Sequence, residues 1–246
     1  AHVILPGASF AEKDGTFTNG ERRIQRVRKA IEPLSGMADW QIVCEIATRM
    51  GYPMRYSHPS EIMAEIAILT PIYAGVTYER LEKQGIQWPC TSKDHPGTTT
   101  LYQESFSRPG GKARFVALEH KGPGELTDEQ YPFVLITGRR REHYNNGSMT
   151  CRAKGIMELF PEELLEMNHA DAQRLKIENG ETVRVSSRRG DILVKAMLTK
   201  RSQEGDVFLS FHYKNALSNI LTSEKRDSIA STPEYKVCAV KVEKIR

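Results

Sequence analysis

A chain of 246 residues, 39% of them apolar, can bury one substantial core or two modest ones, and this composition excludes a collagen-like, disordered or disulfide-scaffold protein. A net charge of +4, spread thinly along both halves, excludes a general nucleic-acid coat and leaves room only for a local basic patch. The four cysteines, Cys44, Cys90, Cys151 and Cys238, are far apart and include no C-x-x-C pair, so neither a zinc site nor an iron–sulfur cluster is read from their spacing.

In chain order, AHVILPG places a strand-like run at the first residues with no earlier element to pair with, which suggests a fragment or a split subunit. Residues 7–21 read as a long ordered loop, and RRIQRVRKAI, with four arginines around Ile24 and Val27, is too polar to be core. Asp39 is expected to cap a helix, WQIVCEIATRM, with Trp40, Val43, Ile46, Ala47 and Met50 on its packing face and Gly51 as terminator. Ser60 opens a second helix with Ile62, Ile66 and Leu69 aligned, which Pro71 stops, and YERLEKQ forms a shorter one before GIQWPC. The apolar stretch from Ile62 to Val76 is broken by Glu65 and Pro71, and no basic-then-apolar leader precedes it. The expectation is a soluble, cytoplasmic chain without membrane insertion. Residues 91–111 wander over the surface before a strand ARFVAL, and a second low-apolar run places a domain boundary near Lys121.

Downstream the pattern changes to strands. FVLIT leads; EELLEM is open to helix or strand; NHADAQRLK is a short helix capped by Asn168. After the Asn179–Gly180 turn, Val183 and Val185 alternate with polar residues; after Arg189–Gly190, Ile192, Val194, Ala196 and Leu198 do the same. DVFLSFH and VCAVKVE add two more strands, and six short strands with little helix indicate a closed barrel.

The segment FVLITGRRREHYNNGSMT carries the strongest chemical signal, because an apolar strand runs into a loop with three arginines, a histidine and two asparagines. Backbone amides freed by Gly138 and Gly147 and the guanidinium forks of Arg139 to Arg141 suit phosphate oxygens, and Asn145 and Asn146 can read the edge of a base or a pterin. A basic turn is also commonly solvated surface, and a lone histidine beyond a strand, such as His212, is commonly structural.

Taken together, AHVILPGASFAEKDGTFTNGERR, DWQIVCEIATRMGYP, GIQWPC, TGRRREHYNNGSMT, GETVRVSSRRGDI and TPEYKVCAVKVE resemble, in order and over essentially the whole chain, the C-terminal portion of formate dehydrogenase catalytic subunits. Those subunits belong to the molybdopterin-dependent oxidoreductases. The resemblance implies a mixed α+β chain: residues 1–120 end an incomplete α/β domain with adjoining helices, and residues 121–246 form a six-stranded double-psi β-barrel that covers the molybdopterin guanine dinucleotides. The implied chemistry is oxidation of formate to carbon dioxide, or its reverse, at molybdenum or tungsten in a bis-molybdopterin guanine dinucleotide centre. The resemblance also puts the catalytic cysteine or selenocysteine, the histidine and arginine, and the 4Fe–4S ligands outside this chain. The implied partners are the remainder of the catalytic subunit and electron-transfer subunits.

No residue of this chain is assigned a catalytic or metal-binding role. Cofactor contact is expected from Thr137, Gly138, Arg139, Arg141, His143, Tyr144, Asn145, Ser148 and Thr150. The connection beyond Phe211 adds His212, Asn219 and Thr222, and the TPEYK motif adds Tyr235, a ring that can cover a pterin, and Lys236, a donor to phosphate or pterin oxygen. Glu12, Asn19, Glu21 and Arg23 are either brought near the metal pocket or satisfy one another, and Trp40, Trp88 and Met50 are expected to pack. The rival readings are another molybdopterin oxidoreductase of nitrate-reductase type, a non-redox double-psi binding module, and a nucleic-acid binder, which lacks the required aromatic platforms.

Overall fold

Strand alternation organises the second half of the chain, and the computed structural model, which describes residues 1–245, closes those strands into a ring. The six strands are β4 (Phe133–Gly138), β5 (Leu164–Met167), β6 (Thr182–Ser186), β7 (Asp191–Leu198), β8 (Asp206–Ser210) and β9 (Val237–Lys244), numbered after three in the first half. Around the barrel the order is β4, β8, β5, β7, β6, β9 and back to β4. Two pairs, β4 with β8 and β5 with β7, run parallel, and every other junction is antiparallel. This is the six-stranded mixed barrel expected of the double-psi type. EELLEM is resolved as strand β5.

The interior is filled from every wall by Phe133, Leu135, Leu165, Met167, Val183, Val185, Val194, Val207, Leu209, Val240 and Val242, all buried. At about 1.5–3 kcal/mol for each fully buried side chain, this core is the main stabilising element of the unit. The two valines of β6 face Val194 and Ile192 of β7 in register, as their alternation requires. Helix α5 (His169–Leu175) starts where the Asn168 side chain accepts the Ala170 N–H at 2.8 Å, and ends at Lys176 in the left-handed region. A further helix, α4 (Lys154–Leu159), has no counterpart in the sequence-based expectation. The expected barrel domain ends at Arg246, which lies outside the described residues.

The chain divides into two compact units, Ala1–Val116 and Ala117–Arg246. The first holds a three-stranded antiparallel sheet of β1 (Gly15–Thr18), β2 (Arg23–Val27) and β3 (Ile86–Gln87), with helices α1 (Asp39–Arg49), α2 (Pro59–Leu69) and α3 (Tyr78–Lys83). Its small core is Ile24, Met63, Val76, Leu81, Ile86 and Cys90, with Tyr73, Tyr78 and Trp88 packed on it.

Several expectations are corrected here. The arginine-rich run expected to lie outside the core is β2, and its Ile24 is a core residue. Alternation lets one apolar side chain point inward while Arg26 lies over the Tyr78 ring and pairs with Asp14 and Glu82. AHVILPG and ARFVAL form no strand, because a strand needs a paired edge and neither finds one; Val3, Ile4, Phe115 and Leu118 are exposed. The N-cap of α1 is Ala38, whose N–H donates to the Gln41 side chain at 2.8 Å. Asp39 is instead the first helical residue, bonded to Lys13 at 2.6 Å. On α1 the buried residue is Cys44; Val43 and Ile46 are exposed and Met50 is 81% exposed, because no element of this unit covers that face. On α2, likewise, Met63 is buried while Ile66 and Leu69 are exposed. Glu12, Asn19, Glu21 and Arg23 satisfy one another or the local backbone: Glu12 accepts the Ser9 and Leu34 N–H groups, and Glu21 pairs with Arg23 and Asn19. Among the described residues, no helix is long and apolar enough to cross a membrane.

Candidate functional site

Parallel pairing of β4 and β8 puts Gly138 opposite Ser210, so both strands end at one rim of the barrel, where β9 begins. Three segments therefore meet there: the arginine turn after β4, the connection after β8, and the TPEYK stretch before β9. Thr137 ties the first to the third. Its buried hydroxyl donates to the Tyr235 carbonyl at 2.7 Å and its N–H donates to the Lys236 carbonyl. Gly138 is needed for contact rather than for dihedral freedom, since a Cβ there would stand 2.7 Å from the Phe208 ring.

Between these segments lies a cavity of about 390 Å³ lined by Arg139, Phe211, Asn219, Thr222, Ser223, Pro233 and Tyr235. The Arg139 guanidinium sits 5.7 Å from the Phe211 ring centroid, and Phe211 meets Tyr235 edge-on at 6.2 Å. No carboxylate among the described residues pairs with Arg139, so its charge faces the cavity uncompensated. Thr222 folds back to donate to the Asn219 carbonyl at 2.9 Å, fixing that short turn. A positive fork, a hydroxyl, an amide and two aromatic rings suit a ligand that joins phosphate to flat heterocycles.

The three consecutive arginines have three different fates. Arg139 lines the cavity. Arg140 turns into the protein, donating to Glu166 Oε1 at 3.0 Å and to the Leu164 carbonyl at 3.0 Å, with Glu163 Oε1 at 3.7 Å. Arg141, expected to touch ligand, does not line the cavity: its side chain is 95% exposed, with Glu142 at 3.6 Å. Glu163 and Glu166 were missed by sequence reasoning. Glu163 is buried, accepts the Ser210 N–H at 3.2 Å and bonds the Ser210 hydroxyl. The signal available was Glu166 inside an apolar strand, a position that demands a buried cation.

Both histidines expected at the ligand are buried, and the nitrogens of each ring are bonded within the protein. His143 is 5% exposed; the Tyr213 hydroxyl donates to the Phe160 carbonyl and so accepts from His143 Nε2–H at 2.9 Å, while Nδ1 accepts from Thr150 at 2.9 Å. His212 is 2% exposed; Nε2 accepts the Arg140 N–H at 2.9 Å and Nδ1–H donates to the Asn145 carbonyl. The two rings stack at 5.4 Å and 29°. Burial pushes the His212 pKa down, against the opposing pull of its bond to Asn145, and burial pushes the Tyr213 hydroxyl up to about 12. Thr150 is thus spent inside the loop, whereas Tyr144, Asn145, Ser148 and Lys236 present exposed side chains beside the rim without lining the cavity. Asn145 adopts φ 49°, and its carbonyl is the one His212 holds.

Gly147 has φ 74°, and a Cβ added there would come 2.5 Å from the His212 carbonyl, a backbone atom that cannot step aside. Gly147→Ala is expected to destabilise the barrel unit by about 2 kcal/mol or more through combined strain and overpacking. A urea titration checks it, and a midpoint equal to that of the unsubstituted chain would contradict the assigned backbone. Among the described residues, no group of three or more His, Cys, Asp or Glu side chains could hold a metal ion.

Comparison with known proteins adds independent observations. Residues 133–239 match the molydopterin dinucleotide binding domain, and residues 1–49 match the molybdopterin oxidoreductase family. The chain is 47% identical over its whole length to F420-dependent formate dehydrogenase 2 subunit alpha of Methanococcus maripaludis, and 41% identical to formate dehydrogenase H of Escherichia coli. It is 38% identical over 99% of its length to a nitrate reductase of Symbiobacterium thermophilum. The chain spans only 37%, 35% and 36% of these three relatives. Acetylene hydratase from Pelobacter acetylenicus shares the fold, with a TM-score of 0.72 at 16% identity over 98% of this chain and 38% of that one.

Proposed function

The chain belongs to the molybdopterin oxidoreductases, and from that membership we propose that it is the cofactor-enclosing part of a formate dehydrogenase catalytic subunit. One observation carries the reading. The arginine turn and the TPEYK stretch, 96 positions apart between Arg139 and Tyr235, line one cavity that combines an unpaired guanidinium with aromatic walls. These residues fit a molybdopterin guanine dinucleotide: Arg139 would pair with phosphate oxygen, the Phe211 and Tyr235 rings would cover flat heterocycle, and Asn219 and Thr222 would meet its polar edge.

Tyr144, Asn145, Ser148 and Lys236, exposed at the rim, would extend the contact, while Thr137 and Gly138 hold the rim in shape. When bound, the molybdenum or tungsten of that group supplies the two-electron oxidation of formate to carbon dioxide, or its reversal. The protein residues named here bind and orient the group and shield it from water. Catalytic side chains and a 4Fe–4S cluster are assigned to the rest of the catalytic subunit, and electron-transfer subunits complete the set of partners. The exposed Val43, Met50, Ile68 and Leu69 of the first unit fit burial against that remainder. A cytoplasmic location belongs to the same proposal.

Formate is preferred over nitrate because the formate dehydrogenases quoted above are 47% and 41% identical to this chain and the nitrate reductase 38%. The complete native protein is expected to release guanine nucleotide on denaturation, to contain molybdenum or tungsten by elemental analysis, and to reduce a viologen dye with formate. Reduction of nitrate without any formate activity would move it to the nitrate-reductase type. Absence of guanine nucleotide would support a non-redox binding module.

A further inference from the structure

Resting on the reading of this rim as a dinucleotide site, we propose that His212, held as the neutral Nδ1–H tautomer, is the positioning residue that sets the arginine turn and makes its grip on the cofactor dependent on pH. The tautomer follows from the partners alone. An amide N–H can only donate, so Nε2 facing Arg140 must be a lone pair; a carbonyl can only accept, so Nδ1 facing Asn145 must carry the proton. One imidazole therefore spans both legs of the turn, immediately after Arg139 on one side and at the left-handed Asn145 on the other. Gly147 packs against the carbonyl of the same residue, and the His143 ring covers its face. Among the described residues, Arg139 makes no hydrogen bond or ion pair of its own that fixes the turn.

Protonation of His212 places an Nε2–H against the Arg140 N–H, turning a hydrogen bond into a repulsion within a buried site. The ionisable groups facing the ring are His143, Arg140 and Cys151 from the turn, Tyr213 from its own connection, and Glu163 from the entry to β5. Of these, Arg140 and His143 disfavour a second positive charge and Glu163 favours it. Burial outweighs the rest and lowers the pKa. The sign follows: a depressed folded pKa means the turn holds fully above the ordinary histidine value near 6.5 and loses that hold as pH falls through the lowered folded pKa beneath it.

The test uses the complete holoenzyme with two variants, His212→Phe and His212→Gln, beside Arg139→Met. Two quantities are read at pH 7.5 and through acid pH: guanine nucleotide retained per chain after gel filtration, and hydrogen-exchange protection of the peptide covering residues 139–150. In the unsubstituted enzyme both are expected to fall together as pH drops through the lowered His212 pKa, on the acid side of the ordinary value of about 6.5. His212→Phe, which keeps a ring but removes both bonds, should release nucleotide about tenfold faster at pH 7.5 and deprotect the turn. His212→Gln, whose amide oxygen can still accept from Arg140, should restore much of both and abolish the acid dependence. It decides alone if His212→Phe fails to fold. A purely structural role would lower the melting temperature of His212→Phe without changing nucleotide retention or the pH profile. An acid profile of His212→Gln identical to that of the unsubstituted enzyme would also overturn the proposal. If Arg139→Met loses nucleotide while the His212 variants keep it with an unchanged profile, this inference fails and the site stands. If Arg139→Met also keeps it, the site itself is wrong.

Discussion

Replacing Arg140 with methionine should cost the barrel unit about 3–5 kcal/mol, because two buried carboxylates would be left without their cation. The Arg140 side chain is 12% exposed, and it spans Glu166 on β5, the Leu164 carbonyl and, at 3.7 Å, Glu163. Glu163 in turn holds the backbone and hydroxyl of Ser210 at the end of β8. One guanidinium thus joins the end of β4 directly to β5 and, through Glu163, to the end of β8, and methionine fills its volume without its charge. Chemical denaturation measures the loss. Arg141→Met, one position on and solvated, should stay within about 0.5 kcal/mol of the unsubstituted chain. Equal effects at the two positions would refute the buried network.

Arg139→Met should do the opposite. It should leave stability almost unaltered, since Arg139 makes no ion pair among the described residues, and should weaken retention of a phosphate-bearing ligand by roughly 10- to 150-fold. That range corresponds to one charge-assisted bond of about 1.5–3 kcal/mol. Nucleotide content of the complete enzyme, set beside its thermal midpoint, separates the two arginines. A variant that keeps its full nucleotide complement would remove the main support for the cavity as the ligand site.

These contrasting fates show what was legible in the sequence. Barrel strands were, because Val183, Val185, Ile192 and Val194 alternate with polar residues, and one buried face determines register. The Asn168 cap and the Asn179–Gly180 turn were legible from local chemistry. Which arginine of three meets the cavity was not, since that depends on where β4 leaves the barrel and which way the turn then bends. His143 and His212 carry the signature of ligand-binding residues in a polar loop, yet both are consumed by bonds to Thr150, Tyr213, Arg140 and Asn145, partners up to 72 positions away. Strand-like AHVILPG and ARFVAL failed for a different reason, because β propensity describes a side chain's fit to a pleated surface and says nothing of whether an edge is available. The outward face of α1 read as packing because amphipathicity reveals that a face wants cover, without revealing where the cover comes from.

The ring is sealed by its first strand pairing with its last, Phe133 opposite Val240 through Ile136 opposite Val237. A ribosome makes β4 more than a hundred residues before β9, so for most of the unit's synthesis the nascent sheet has two raw edges and the Tyr235 wall has not yet been built. Whatever occupies the rim must therefore be loaded after the final strand has emerged. A translation product halted ahead of Val237 would be an open, edge-exposed sheet, a natural client for holding factors that mask unpaired backbone.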